Sequence, residues 1–153
     1  MNDNYRLFNK DSKEFIKSIK TNSVDFIFTD PPYNLKQYST GNIKFEHRTD
    51  INNDIADWDE NFNPEEYRDE FLRILKPTGN LFAFTSYNTI GKWHENYDKY
   101  FDTFQFFIWH KTNPAPQIRK NGFLSSCEAI LWATHGFDNK KVSYTFNFSK
   151  QNE

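Results

Sequence analysis

An α/β fold, with helices packed on a mostly parallel sheet, is what this sequence predicts, and three observations predict it. Short apolar runs alternate with stretches of helical periodicity from Tyr5 to Thr134. Such alternation is the pattern of βαβ units. Helix punctuation falls where the alternation needs it, above all at Asn63-Pro64-Glu65-Glu66 and Pro77-Thr78-Gly79. A length of 153 residues suits one domain and one core.

Each element has its own reason. Tyr5-Arg6-Leu7-Phe8 reads as a short strand. Asp11 caps a helix through Lys20, with Glu14 in capping-box position and Phe15, Ile16 and Ile19 on one face. Thr21-Asn22-Ser23 is a turn. Val24 to Thr29 is a strand, apolar enough to be buried on both faces. Asn34 to Asn61 has little periodicity, and connections of that length are usually functional or mobile. Asn63, Pro64 and two acids open a helix carrying Tyr67, Phe71, Ile74 and Leu75 at helical spacing, and Pro77-Thr78-Gly79 stops it. Asn80 to Thr85 is the next strand, and Ile90, Trp93, Tyr97 and Phe101 mark another helix face. Phe104 to His110 and Glu128 to Thr134 are two further strands. Val142 to Phe148 reads as one exposed strand.

Composition narrows the class. The one cysteine, Cys127, excludes an internal disulfide and fits a reducing cytoplasm. Met1-Asn2-Asp3-Asn4 begins no signal peptide, and no apolar run approaches membrane-spanning length, so a cytoplasmic chain without membrane contact is expected. The 17 Phe, 8 Tyr and 4 Trp accompany many Asn and Lys residues, which codon bias in an AT-rich genome explains without an aromatic binding surface. Net charge is −2, with no global sign of nucleic-acid binding. Locally, Asp50 to Glu70 holds nine acids against Arg68 alone, whereas His110 to Gly122 holds Lys111, Arg119 and Lys120 with no acid. A phosphate-facing surface belongs at the second stretch. The first reads as a solvated loop and helix face.

Asp30-Pro31-Pro32-Tyr33, directly after the apolar run, carries the chemistry. Both prolines have fixed φ and no N–H, and each holds the preceding residue extended. The result is a rigid cluster of acceptors at a strand end, the edge where open α/β sheets bind ligands. Two acceptors on the two N–H bonds of an exocyclic amine favour a pyramidal nitrogen with an available lone pair. Tyr33 offers an aromatic face on which a planar ring can stack. Without that chemistry, the same four residues are a strand followed by a proline turn.

The tetrapeptide resembles the catalytic motif of enzymes that methylate exocyclic amino groups of DNA bases. Further segments extend the likeness: Asn22 to Asn34, Asp57-Trp58-Asp59, Leu75 to Leu81, Ile108-Trp109-His110-Lys111-Thr112-Asn113-Pro114-Ala115-Pro116 and Glu128-Ala129-Ile130-Leu131. The chain resembles the amino-terminal half of a bacterial DNA amino-methyltransferase (adenine-N6/cytosine-N4 family) in the permuted β-group order, in which the catalytic motif precedes the cofactor loop. Residues 1–138 correspond to the catalytic-motif half, and 139–153 to the start of a target-recognition region or a tail.

The resemblance implies a Rossmann-like methyltransferase sheet, S-adenosylmethionine as donor, and double-stranded DNA as partner. It implies that Asp30 and the Pro31 carbonyl hold the amino group, that Pro32 keeps the motif rigid, and that Tyr33 stacks on the base. Asp30, where some members have serine, leans toward adenine N6, with cytosine N4 as the alternative. Asp11 and Asp30 are the implied cofactor contacts, although the family's usual Gly-Asp is here Lys10-Asp11, and a helix cap explains Asp11 equally well. Lys111, Asn113, Arg119 and Lys120 are the candidate DNA contacts, with an ordinary basic loop as the bland alternative. His110, His135 and Cys127 have no partners at metal-ligand or nucleophile spacing, so no metal site is expected.

One departure stands out. A glycine-rich cofactor loop is expected of the family, yet Gly41, Gly79, Gly91, Gly122 and Gly136 are all far apart. The sheet is therefore expected to be incomplete, with an open apolar edge. A second polypeptide carrying the cofactor loop, and a restriction endonuclease, are the implied partners. A non-catalytic gene remnant and a DNA-binding module are the rival readings. Methyltransferases of RNA or protein glutamine with similar proline-aromatic motifs place the cofactor loop earlier, but no glycine precedes Asp30.

Overall fold

The structure, a computed structural model, describes residues 4–36, 41–44, 47, 49–52, 56–114, 122–135, 137–138, 141–142 and 147. Helix α1 (Ser12–Lys17) leads into β1 (Val24–Thr29). One short pair follows, β2 (Asn42–Ile43) with β3 (Ile51–Asn52), before α2 (Glu65–Ile74) and β4 (Leu75–Thr85). Helix α3 (Ile90–Tyr97) and a 3-10 turn at Asp98–Tyr100 precede β5 (Thr103–His110) and β6 (Cys127–Thr134). A small ribbon, β7 (Phe137–Asp138) with β8 (Lys141–Val142), comes last.

The main sheet has the order β1-β4-β6-β5. Strands β1 and β4 are parallel, while β6 runs antiparallel to both β4 and β5. Three strands thus point one way and the fourth is inserted against them. A side-chain period of two is the same for either strand direction, so the pattern of β6 does not encode its reversal.

Among the described residues, helices cover one face of the sheet. Leu81, Ala83, Leu131 and Ala133 are fully buried there against Phe71 and Ile74 of α2 and Trp93 and Tyr97 of α3. The Tyr97 hydroxyl donates to the Pro64 carbonyl at 2.8 Å, tying α3 to the start of α2. Arg73 of α2 donates to the Ile16 and Ile19 carbonyls (3.0 and 2.7 Å), satisfying the end of α1.

The opposite face carries aromatic rings. Phe26, Phe82, Trp132 and Phe107 form a row across all four strands, with centroids 5.5 to 6.3 Å apart. Phe28, Phe84 and Trp109 form a second row. Phe26 is 53% and Phe28 60% exposed. The expectation that β1 is buried on both faces is therefore corrected: its Phe26 and Phe28 rings stand more than half in solvent. Among the described residues β1 pairs only with β4, so its other edge is open.

Other expectations change as well. Tyr5 to Phe8 is not a strand; Tyr5 and Leu7 are exposed and no ladder partner reaches them. Helix α1 stops at Lys17 rather than Lys20; Asp11 caps it, accepting from the Glu14 amide at 3.1 Å. Glu14 turns forward to Lys17 (2.8 Å), so the reciprocal half of the capping box is absent. Pro77-Thr78-Gly79 lies inside β4 as a bulge: Val24 to Phe26 on β1 faces Leu75 to Asn80 on β4. Val142 is in β8, and most of the expected strand from Val142 to Phe148 lies outside the described residues.

Candidate active site

Strand β1 ends at Thr29, and Asp30 follows at the carboxyl edge of the sheet, exposed to solvent. Pro31, Pro32 and Tyr33 are half-buried. The Tyr33 peptide is held on both sides. Its N–H donates to the Asp59 carboxylate at 2.5 Å, and its carbonyl accepts from the Ser86 hydroxyl at the end of β4, 3.2 Å away. The next amide, Asn34, donates to the same Asp59 oxygen at 2.7 Å. Asn34 adopts a positive φ of 58°, a conformation asparagine tolerates. Its side chain clasps the Phe62 backbone, donating at 2.8 Å and accepting at 2.6 Å.

The Tyr33 ring points between two carboxylates. Burial pushes its phenol well above the usual tyrosine range, and neighbouring Asp30 and then Glu128 push it further. The hydroxyl therefore stays protonated and donates; Glu128 accepts at 3.5 Å. Glu128, near the start of β6, also binds the Lys111 ammonium, which lies 5.7 Å from the Trp109 ring centroid.

A cavity of about 540 Å³ runs from Phe15 and Ile19 along β1 to Asp30, Pro31 and Pro32. Its size suits a small ligand or an added element of secondary structure. Its walls are mainly apolar, and no glycine lines it. The residues present fit one end of an S-adenosylmethionine site, at Asp30, and do not supply the close backbone approach of a glycine loop.

The expected site residues divide into three groups. Asp30, Pro31, Pro32 and Tyr33 come together at one sheet edge with Lys111, through Glu128. Asp11 is exposed as the α1 cap, next to Ser12 on the cavity wall. Asn113 is exposed in the loop after β5, while Arg119 and Lys120 lie outside the described residues. Asp59, Ser86 and Glu128 were not expected as site residues. Their only signal is that Asp59 and Glu128 lie in segments that resemble the family. His135 stacks on Phe101 (4.7 Å), a packing role. Among the described residues no cluster of His, Cys, Asp or Glu could hold a metal, and no helix is long and apolar enough to cross a membrane.

An α/β sheet bearing an exposed Asp-Pro-Pro-Tyr at the carboxyl end of a strand defines a class, the amino-group methylases. Residues 24–153 match the family model described as DNA methylase, of the N6/N4 methyltransferases. The chain belongs to that family. It is 32% identical over 156 residues to the type II methyltransferase M2.DpnII of Streptococcus pneumoniae, covering 96% of this chain and 56% of that protein. To M.HinfI of Haemophilus influenzae it is 33% identical over 149 residues, covering 90% and 39%. The crystal structure of the M1.HpyAVI–SAM complex superposes with a TM-score of 0.58 at 24% identity, covering 93% of this chain and 57% of that one. That likeness shows the Rossmann-like methyltransferase fold. The chain spans little more than half the length of these relatives at most.

Proposed function

We propose that this chain forms the catalytic-motif part of a DNA adenine-N6 methyltransferase that uses S-adenosylmethionine. The observation that carries the reading is Asp30, exposed at the end of β1 and backed by two prolines and a clamped Tyr33. Its carboxylate and the Pro31 carbonyl accept from the two N–H bonds of the target amine, and the nitrogen lone pair is freed for attack. Tyr33 stacks on the flipped base. S-adenosylmethionine, if held in the cavity beside Asp30, would supply an electrophilic methyl group to this nitrogen and would leave as the neutral thioether. The proton released from nitrogen passes to Asp30 and on to solvent. Asp30 bounds the cofactor cavity, and Asp11, beside Ser12, stands at its far end. Cytosine N4 is the alternative substrate, because the geometry holds any exocyclic amine.

The cofactor loop comes from polypeptide beyond the residues described, in the same or a complementing chain. The greater length of the relatives, the open edge of β1 among the described residues and the exposed Phe26 and Phe28 rings support this. Double-stranded DNA is the substrate, a restriction endonuclease of the same site specificity is the natural companion, and the cytoplasm is the compartment. Asn113, Arg119 and Lys120 are proposed phosphate contacts.

The test is methyl transfer from labelled S-adenosylmethionine to unmethylated DNA, with nucleosides identified by mass spectrometry. It is run with the chain alone and with the carboxyl-terminal part of a relative added. N6-methyladenine that disappears with Asp30→Ala supports the reading. N4-methylcytosine would reassign the base. No product in any mixture would leave a non-catalytic remnant or a DNA-binding module.

A further inference from the structure

The Asp57-Trp58-Asp59 segment holds a buried carboxylate that the chemistry above does not use. Asp59 is only 6% exposed. Pro31 and Pro32 have no N–H. The first two backbone donors after Asp30 are therefore the amides of Tyr33 and Asn34, and one Asp59 oxygen takes both, at 2.5 and 2.7 Å. The Asp59 carbonyl in turn accepts from the Lys36 amide at 3.3 Å, so the two loops are bound twice. On the other side, Ser86 holds the Tyr33 carbonyl. Hydrogen bonds to a charged acceptor are roughly twice as strong as neutral ones. A buried carboxylate is tolerated only when it is hydrogen-bonded in this way. The motif cannot anchor itself through its own prolines, and Asp59 does it from 26 residues away.

We infer that Asp59 is a positioning residue for base capture: it fixes the backbone of Tyr33, and with it the plane on which the extruded base stacks. This rests on the proposed function, since it takes Tyr33 as the stacking residue. Asp59 touches neither base nor cofactor. It acts through the Tyr33 and Asn34 amides.

The probe is a single-stranded oligonucleotide carrying 2-aminopurine, which needs no recognition sequence. Stacking on Tyr33 quenches its fluorescence. The full chain is titrated as wild type, Tyr33→Ala, Asp59→Ala and Asp59→Asn, with Tyr97→Phe as a variant weakened far from the motif. The Tyr33 and Asn34 amide resonances are followed in parallel. Expected is a quench that Tyr33→Ala abolishes and that Asp59→Ala shifts to about tenfold higher protein concentration. Asp59→Asn keeps an acceptor oxygen of the same reach and stays within about threefold. Its lost charge moves both amide resonances upfield together. Tyr97→Phe leaves quench and amides as in wild type. Should Asp59→Ala fail to fold, the Asp59→Asn amide shifts decide. A quench unchanged in folded Asp59→Ala, or amides unmoved in Asp59→Asn, overturns the inference. No quench by the wild type overturns the stacking role of Tyr33 instead, and the two failures are thereby told apart.

Discussion

Lys111 and Glu128 form an ion pair beside Tyr33, with the phenol 3.5 Å from the second Glu128 oxygen. Lys111 is one of the expected DNA contacts, yet its charge is already neutralised. A paired lysine releases fewer counterions from DNA than a free one. Glu128→Gln is therefore expected to strengthen non-specific DNA binding and steepen the salt dependence of log K by about one unit per log unit of salt. Lys111→Ala in the wild-type background is expected to change that slope little. Fluorescence anisotropy across a salt series checks both. Equal slopes in all three proteins would mean that the ammonium never reaches a phosphate.

Alkaline pH tests two phenols, buried Tyr97 and half-buried Tyr33. Burial raises Tyr97, and burial with Asp30 and Glu128 raises Tyr33, above the ordinary tyrosine value near 10. Above that pH the unfolded chain loses protons that the folded chain keeps. Stability is therefore intact below about pH 10 and falls as pH rises beyond it. Tyr97→Phe removes one such group and is expected to flatten the fall. It also gives up the hydrogen bond to the Pro64 carbonyl, costing about 1 kcal/mol at neutral pH. Thermal melts between pH 8 and 11 read both effects, and an equally steep alkaline loss in Tyr97→Phe would refute the assignment.

How much of this was legible follows from the range of each interaction. The motif announced itself because its rigidity is local: two prolines act on their own and adjacent torsions. Helix α2 was legible from Asn63 and Pro64: the Asn63 side chain accepts from the Glu65 amide at 3.3 Å, and Pro64 already has helical torsions. Strand β1 was legible as a strand and not as a half-covered one. Val24 to Thr29 has the apolar content of a doubly buried strand, and nothing in it says which face receives a helix. Tyr5 to Phe8 has strand propensity but no ladder partner among the described residues, and propensity without a ladder does not make a strand. Asp59 was hidden for a different reason. Its contact is with two amides, which have no sequence signature.

Gly79 tests the bulge in β4. A Cβ there would lie 2.8 Å from Leu75 Cδ2 and 2.9 Å from the Lys76 carbonyl oxygen. The side chain can shift, but the backbone oxygen cannot without opening the bulge. The Gly79 carbonyl is also held by the buried Thr134 hydroxyl at 2.9 Å, which links β4 to β6. Gly79→Ala is therefore expected to cost about 1–3 kcal/mol in denaturant unfolding. A variant as stable as wild type would mean that the bulge is loose.

The aromatic face of the sheet makes the last prediction. Phe26 and Phe28 stand more than half exposed at the open edge, Phe26 tilted against Phe82 and Phe28 edge-on to Phe84. Apolar patches of this kind mark surfaces that another polypeptide covers. Because so much of each ring is in water, replacing both by threonine keeps strand propensity and forfeits little burial. Stability should stay within about 1 kcal/mol. Self-association and hydrophobic-dye binding by the chain alone should fall. Complementation by the carboxyl-terminal part of a relative should weaken, because the rings that an added helix would bury are gone. If the variant loses stability sharply and complements as well as wild type, the rings belong to this chain's own core, and the covering polypeptide lies elsewhere.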